Sequence, residues 1–159
     1  MDPAIKKKSL RLFTYGLYVV TVRQGAEAAA FLANWIVQSS FEPPMIAIAV
    51  EQDAHSLGVI RAAGAFAIHV LPSGSRELAG AYGRSYAKVG DKLAGHTWQA
   101  GSTGAPLLRE EALAAVECRV TAETPSGDHV LFVAEIVDAH FWQEGTPLTM
   151  AEAGFRYSG

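Results

Sequence analysis

Residues 14–50 read TYGLYVVTVRQGAEAAAFLANWIVQSSFEPPMIAIAV, and most of the run carries strand chemistry. Leu17, Val19 and Thr21 alternate with Tyr18, Val20 and Val22. This β-branched and aromatic series predicts a strand buried on both faces, with Gln24 and Gly25 as the turn that follows. Residues 28–38 are expected to return as its antiparallel partner. Pro43 and Pro44 have no N–H to give a ladder, so they belong at a strand entrance or bend before residues 45–50 continue the sheet. Asn34, Gln38, Ser39 and Ser40 interrupt an otherwise apolar segment. Such a pattern suggests a pleated surface offering backbone and small polar groups to a ligand.

On either side the period changes. Residues 3–13 have partial helical spacing, with Pro3 where a first-turn proline is tolerated. Residues 51–56 are polar and turn-like, and a helix starts near Ser56 and stops at Gly64. Residues 65–71 predict a short buried strand, and Ser73 or Ser75 caps a helix over SRELAGAYGR. Residues 85–104 form a long surface excursion of the kind that often carries function. Residues 112–121 and 129–141 alternate as strands around a turn at Pro125, Ser126 and Gly127, and residues 147–157 are expected to add an edge strand. With no βαβ rhythm, these elements predict a mainly β chain with short helices: a Greek-key-like antiparallel barrel in a single domain over 1–159.

A chain of 159 residues, half of them apolar, can bury a core without metal or disulfide support. Its net charge of −3 and thinly spread cations, apart from Lys6 to Lys8, give no basic face for nucleic acid. The single cysteine, Cys118, permits no internal disulfide and reads as a small apolar strand residue in a reducing, cytoplasmic setting. No apolar run approaches the ~20 residues that span a bilayer, so no membrane association is expected. Nucleotide-loop, zinc-protease and hydrolase motifs are missing. The five histidines, His55, His69, His96, His129 and His140, share no ligand spacing, so no metal site is expected; His69 and His140 are expected to pack within or beside strands. A chain with no catalytic constellation of its own can take its chemistry from a cofactor.

The pieces TYGLYVVT, ANWIVQSSFEPPMIAIAV, HS at 55–56, AFAIHVL, DK at 91–92, STGAPLL, AAVECRV and GDHVLFVAEIVDA occur in one order from about Leu10 to Tyr157. Taken together they resemble the flavin reductase family of FMN-binding split-barrel proteins. Within it they are most similar to flavoredoxin-like proteins and to the flavin reductase module of cyanobacterial flavodiiron proteins.

The resemblance implies a split β-barrel homodimer that binds FMN non-covalently at the subunit interface and takes hydride from NADH or NADPH. The reduced flavin then serves a monooxygenase or a small redox protein. It also implies an alternative, an electron-transfer flavoprotein or ferric reductase that retains its FMN; a non-catalytic barrel for haem or another flat ligand is a third reading. By the same resemblance, Asn34, Trp35, Ile36 and Val37 form the strand beside the isoalloxazine and ribityl chain. His55 and Ser56 place the phosphate at a helix start, where unpaired amides suit an anion. Where the family often has a hydroxyl and a cation, this chain has Asp53 and Gln52, so Asp53 is expected to point away. Lys92 is expected to supply the missing charge, ahead of Arg84 and Lys88. His129 is implied near the flavin and nicotinamide, orienting or stabilising charge rather than donating an obligatory proton. Phe155 and Tyr157 are implied to cover the cofactor from a partner subunit.

Overall fold

The strand chemistry at 17–22 appears in the computed structural model, which describes residues 1–157, as β1 (Tyr18–Gln24). Gly25, at φ +59°, turns the chain into β2 (Glu27–Ala33). The partner expected over 28–38 is two strands rather than one. The chain leaves the ladder at Asn34 and Trp35 and resumes as β3 (Ile36–Ser40), which pairs with β4 (Met45–Glu51) instead of β1. Residues 41–44, with both prolines, form the bend between them.

The remaining strands of the main sheet are β5 (Ala65–Val70), β8 (Ala114–Ser126) and β9 (His129–Phe141). A short separate ribbon joins β6 (Gln99–Ala100) to β7 (Pro106–Leu107). The seven-stranded antiparallel sheet has the order β2-β1-β5-β8-β9-β4-β3, which puts β2 and β3 at opposite edges. Only Asn34 and Trp35 connect those two edges. Three Cα steps reach no more than about 11 Å, so the sheet must curl until its edges nearly meet. The result is the expected antiparallel barrel, split beside the Asn34–Trp35 crossing.

Helices occupy the connections. α1 (Pro3–Leu10) starts at Asp2, whose carboxylate accepts the Ala4 N–H at 2.7 Å, and stops three residues short of the expected end. α2 (His55–Ala63) follows β4 and ends at Gly64, φ +63°, where the left-handed backbone favours glycine. α3 (Arg76–Tyr82) precedes the long excursion, α4 (Tyr86–Val89) opens it, and buried Leu93 pins it.

Two cores flank β1. Val20, Val22, Ile48, Ile60, Phe66 and Phe132 fill the barrel, while Val19, Leu71, Tyr82, Leu108 and Leu148 pack on its other side. Val19 and Val20 are both fully buried, as a strand covered on two faces requires. Each large side chain removed from water in this way contributes about 2 kcal/mol.

A bulge between Glu117 and Cys118 breaks the alternation of β8, so that both residues are fully buried. Cys118 enters the barrel core. Glu117 accepts the N–H groups of Ser102 (3.0 Å) and Thr103 (2.7 Å), the Thr103 hydroxyl (2.7 Å) and His140 Nε2–H (3.0 Å). Burial alone would raise its pKa, but these hydrogen bonds outweigh it and bring the carboxyl down to about 2. His69 is fully buried: its Nδ1 donates to Val19 O at 3.0 Å, and its Nε2 accepts the Leu108 N–H at 3.1 Å.

The expected edge strand over 147–157 is not formed. Isolated bridges join Pro72 to Pro147 and Gly16 to Thr149, and the chain then turns into α5 (Met150–Ala153). Thr149 and Glu152 supply the T-x-x-E spacing of a capping box, and Thr149 Oγ1 accepts the Glu152 N–H at 3.1 Å. That local start signal overrides strand pairing. Beyond Gly154 the segment lies across the barrel split. No helix among the described residues is long and apolar enough to cross a membrane.

Candidate active site

A cavity of about 600 Å³ opens along the outer edge of β2. Residues 29–34 form one wall; Glu51, Asp53 and His55–Ser56 come from the β4–α2 junction, and Gly83–Ala87 with Lys92 from the α3–α4 region. His129, Met150, Phe155 and Tyr157 complete it. Because β2 hydrogen-bonds only to β1, backbone N–H and C=O groups on its other side have no strand partner. The alanines of AEAAAFLA leave that backbone accessible to a flat molecule.

The structure brings several of the expected residues together. Asn34 lies at the end of the wall, largely buried, with Nδ2 donating to Met150 Sδ at 3.3 Å. His55 is the first residue of α2, and Ser56, buried, is the second. Ala54, the residue that precedes them, provides no side-chain cap, so the N–H groups of His55 and Ser56 remain available to an acceptor, while that of Leu57 donates to Ala54 O at 3.0 Å. Lys92 and Arg84 both line the cavity; Lys88 does not. Lys92 Nζ donates to Tyr82 O at 2.7 Å, and partial burial lowers its pKa.

Other expectations are corrected. Ile36 packs against the barrel core and Val37 is 62% exposed, so neither lines the cavity. The chain has already crossed to β3 at that point, which moves the wall upstream to residues 29–34. Asp53 faces the cavity rather than away from it. Phe155 and Tyr157 also line the cavity within their own chain.

Trp35 does not line the cavity but supports it: its ring lies 4.7 Å from that of His129 and 5.2 Å from that of Tyr157. The buried Trp35 Nε1 has no hydrogen-bond partner. His55 stacks on Tyr86 at 3.8 Å, and its Nε2 lies 3.4 Å from Glu27 Oε1 without hydrogen-bond geometry. His129 is buried, with Nδ1 2.6 Å from Asp128 Oδ1 and Nε2 3.0 Å from the Tyr157 hydroxyl, which bonds in turn to Glu51. Burial first, then the Glu51 carboxylate, raises the Tyr157 pKa.

Sequence reasoning missed the β2 wall, Glu51 and Met150. For the wall a signal was present, a run of small residues beside a predicted turn. For Glu51 and Met150, whose partners are 106 and 116 positions away, none was.

The cavity thus has a free strand edge along one side, a helix start and the cations Lys92 and Arg84 in its lining, and a ring cluster at His129. Such an arrangement suits a planar heteroaromatic ligand with an anionic tail. The fit rests on groups left without partners: the β2 edge, the His55 and Ser56 N–H groups and His55 Nε2.

The family profile described as "Flavin reductase like domain" matches residues 10–159. The chain is 31% identical over 140 residues to "Ferric-chelate reductase (NAD(P)H)" of Archaeoglobus fulgidus, covering 87% of this chain and 83% of that protein. It is 31% identical over 150 residues to "4-hydroxyphenylacetate 3-monooxygenase, reductase component" of Thermus thermophilus, covering 94% and 93%. Among solved structures, Streptomyces globisporus C-1027 NADH:FAD oxidoreductase SgcE6, in complex with NAD and FAD fragments, superposes with a TM-score of 0.84 at 28% identity, covering 99% and 93%.

Proposed function

This chain belongs to the flavin reductase-like family, and from that premise we propose that its cavity binds FMN non-covalently. It is an NAD(P)H-dependent oxidoreductase, a flavin reductase. The observation that carries the FMN reading is the free edge of β2 inside a cavity of about 600 Å³. Unpaired N–H groups along that edge suit the polar rim of an isoalloxazine and offer charge stabilisation without a titrating group.

The first-turn amides of α2, with Ser56, His55, Lys92 and Arg84, would hold the phosphate. Asn34 would mark the end of the wall, with Trp35 supporting the rings behind it. His129 and Tyr157 would orient the nicotinamide and exclude water. FMN, when bound, accepts the hydride from NADH or NADPH. Asp53 stands with Glu51 close to Tyr157, whose hydroxyl feels both charges. The phosphate is therefore assigned to the Lys92 and Arg84 side.

A homodimer is part of this reading. The opposite edge, β3, has no strand partner beyond β4 among the described residues, and Val37 (62%) on it with Phe41 (88%) in the bend that follows expose large apolar side chains that a second copy would cover. Reduced flavin would pass to a partner monooxygenase, a reading supported by the Thermus relative, whose name makes it a reductase component. The same reading puts the enzyme in the cytoplasm, in keeping with its lone buried thiol.

Stopped-flow reduction of FMN by NADH and by NADPH tests the proposal. Rapid bleaching of the flavin band with at least one nucleotide is expected. Tight FMN binding with no bleaching by either would overturn the assignment.

A further inference from the structure

Glu51 and His129 face each other in register across β4 and β9, and the Tyr157 hydroxyl bridges their side chains. Counting protons along this chain of contacts fixes the state of the ring. A carboxylate only accepts, so the contact with Glu51 uses the one proton of the Tyr157 hydroxyl. The Tyr157 oxygen can then only accept from His129, which requires a proton on Nε2. On the other side, the Asp128 carboxylate accepts from Nδ1 at 2.6 Å, which requires a proton there too. Both ring nitrogens are donors only in the imidazolium.

We propose that Glu51 is a positioning residue that fixes His129 as an imidazolium beside the cavity, by claiming the only proton that Tyr157 has to give. His129 is buried against Trp35, so it cannot turn to water for a different set of partners without losing that packing. The charged groups facing this cluster are Glu51 from β4, Asp53 from the β4–α2 turn and Asp128 at the start of β9, all acidic. The Asp128 carboxyl is held below its ordinary range, chiefly by the hydrogen bond from His129. The imidazolium offsets one of these three acidic charges and places its own charge on a ring that lines the cavity. The proposed FMN would meet a fixed positive charge there, supplied by a residue that transfers no proton.

The role of that charge rests on the flavin reading above; the protonation state does not. Histidine-selective ¹⁵N NMR on the full chain, with and without FMN, reads it directly. At about pH 7 both nitrogens of His129 are expected to be protonated in the wild type. In Glu51→Gln the amide can donate to the Tyr157 oxygen, freeing the hydroxyl proton to point at Nε2. The ring then keeps only the Nδ1 proton. Glu51→Asp should restore the imidazolium, and in a Tyr157→Phe background Glu51→Gln should leave the protonation of the ring nitrogens unchanged.

A neutral wild-type His129 at about pH 7, or the same ring protonation in wild type and Glu51→Gln, would overturn the proposal. The pH profile of FMN reduction should differ between the wild type and Glu51→Gln. Failure of the wild type to reduce flavin would instead remove the functional reading, leaving the NMR result to stand alone.

Discussion

Lys92 donates from Nζ to the backbone carbonyl of Tyr82 at 2.7 Å, which fastens a cation from the long 85–104 excursion to the end of α3 at the cavity wall. The ammonium is thereby held in place before any ligand arrives, so little side-chain freedom is lost when it meets a phosphate.

Replacing Lys92 by Ala is expected to weaken FMN binding by about tenfold, the scale of one charge-assisted hydrogen bond, while riboflavin, which lacks the phosphate, loses much less. Ser56→Ala should act in the same direction with a smaller effect. Fluorescence titration with both flavins checks this; equal losses would remove the two residues from phosphate recognition.

Stability should fall in two separate steps on acidification. The His69 pKa is lowered from 6.5 to about 4, chiefly by burial. The unfolded chain therefore takes up this proton first, and stability present above about pH 6.5 is lost as the pH falls towards 4, amounting to about 3 kcal/mol. Glu117, lowered from 4.5 to about 2, contributes stability that is intact above about pH 4.5 and lost as the pH falls through 2. Denaturant unfolding across this range should show His69→Gln flattening the upper window and Glu117→Gln the lower one.

Glu117→Ala is expected to cost about 3 kcal/mol or more, because it strands two backbone N–H groups and His140. Gly101→Ala approaches the same carboxylate from the loop side. A Cβ at residue 101 would lie 2.4 Å from Glu117 Oε2, so displacement of the loop or the carboxylate should cost about 1–2 kcal/mol. Thermal unfolding of both variants, singly and together, should give non-additive losses.

Val37→Asp puts a charge on the exposed β3 edge without touching the cavity. Sedimentation should show the proposed dimer shifted towards monomer, with FMN affinity per chain retained if each cavity is built from one chain. A wild type that sediments as a monomer would end the dimer reading.

Much of the barrel was readable because its strands follow local rules. The β1 run has β-branched residues on both faces, Gly25 and Gly64 sit where the backbone turns left-handed, and β5 is a short apolar block. The misread places are those where distant contacts or small irregularities decide. The break at Asn34 and Trp35 separates two runs that each look like strand, and only the closing of the sheet shows that they pair with different neighbours. In AAVECRV the bulge puts Glu117 and Cys118 inside together, which no alternation rule predicts. At the site, His55, Ser56, Lys92 and His129 were visible through a family-like order of motifs. The β2 wall was harder to find, because recognition by backbone leaves little trace in side-chain identity.

The free edge of β2 has a cost in the absence of ligand. An unpaired strand edge is a template on which a second chain can add, and its alanines carry no charge to discourage this. A flat ligand lying along β2 would occupy that edge and shield it. Ligand-free protein is therefore expected to aggregate faster on mild heating than protein saturated with FMN, measured by light scattering well below the unfolding midpoint. Cofactor loading would then protect the newly made chain as well as equip it.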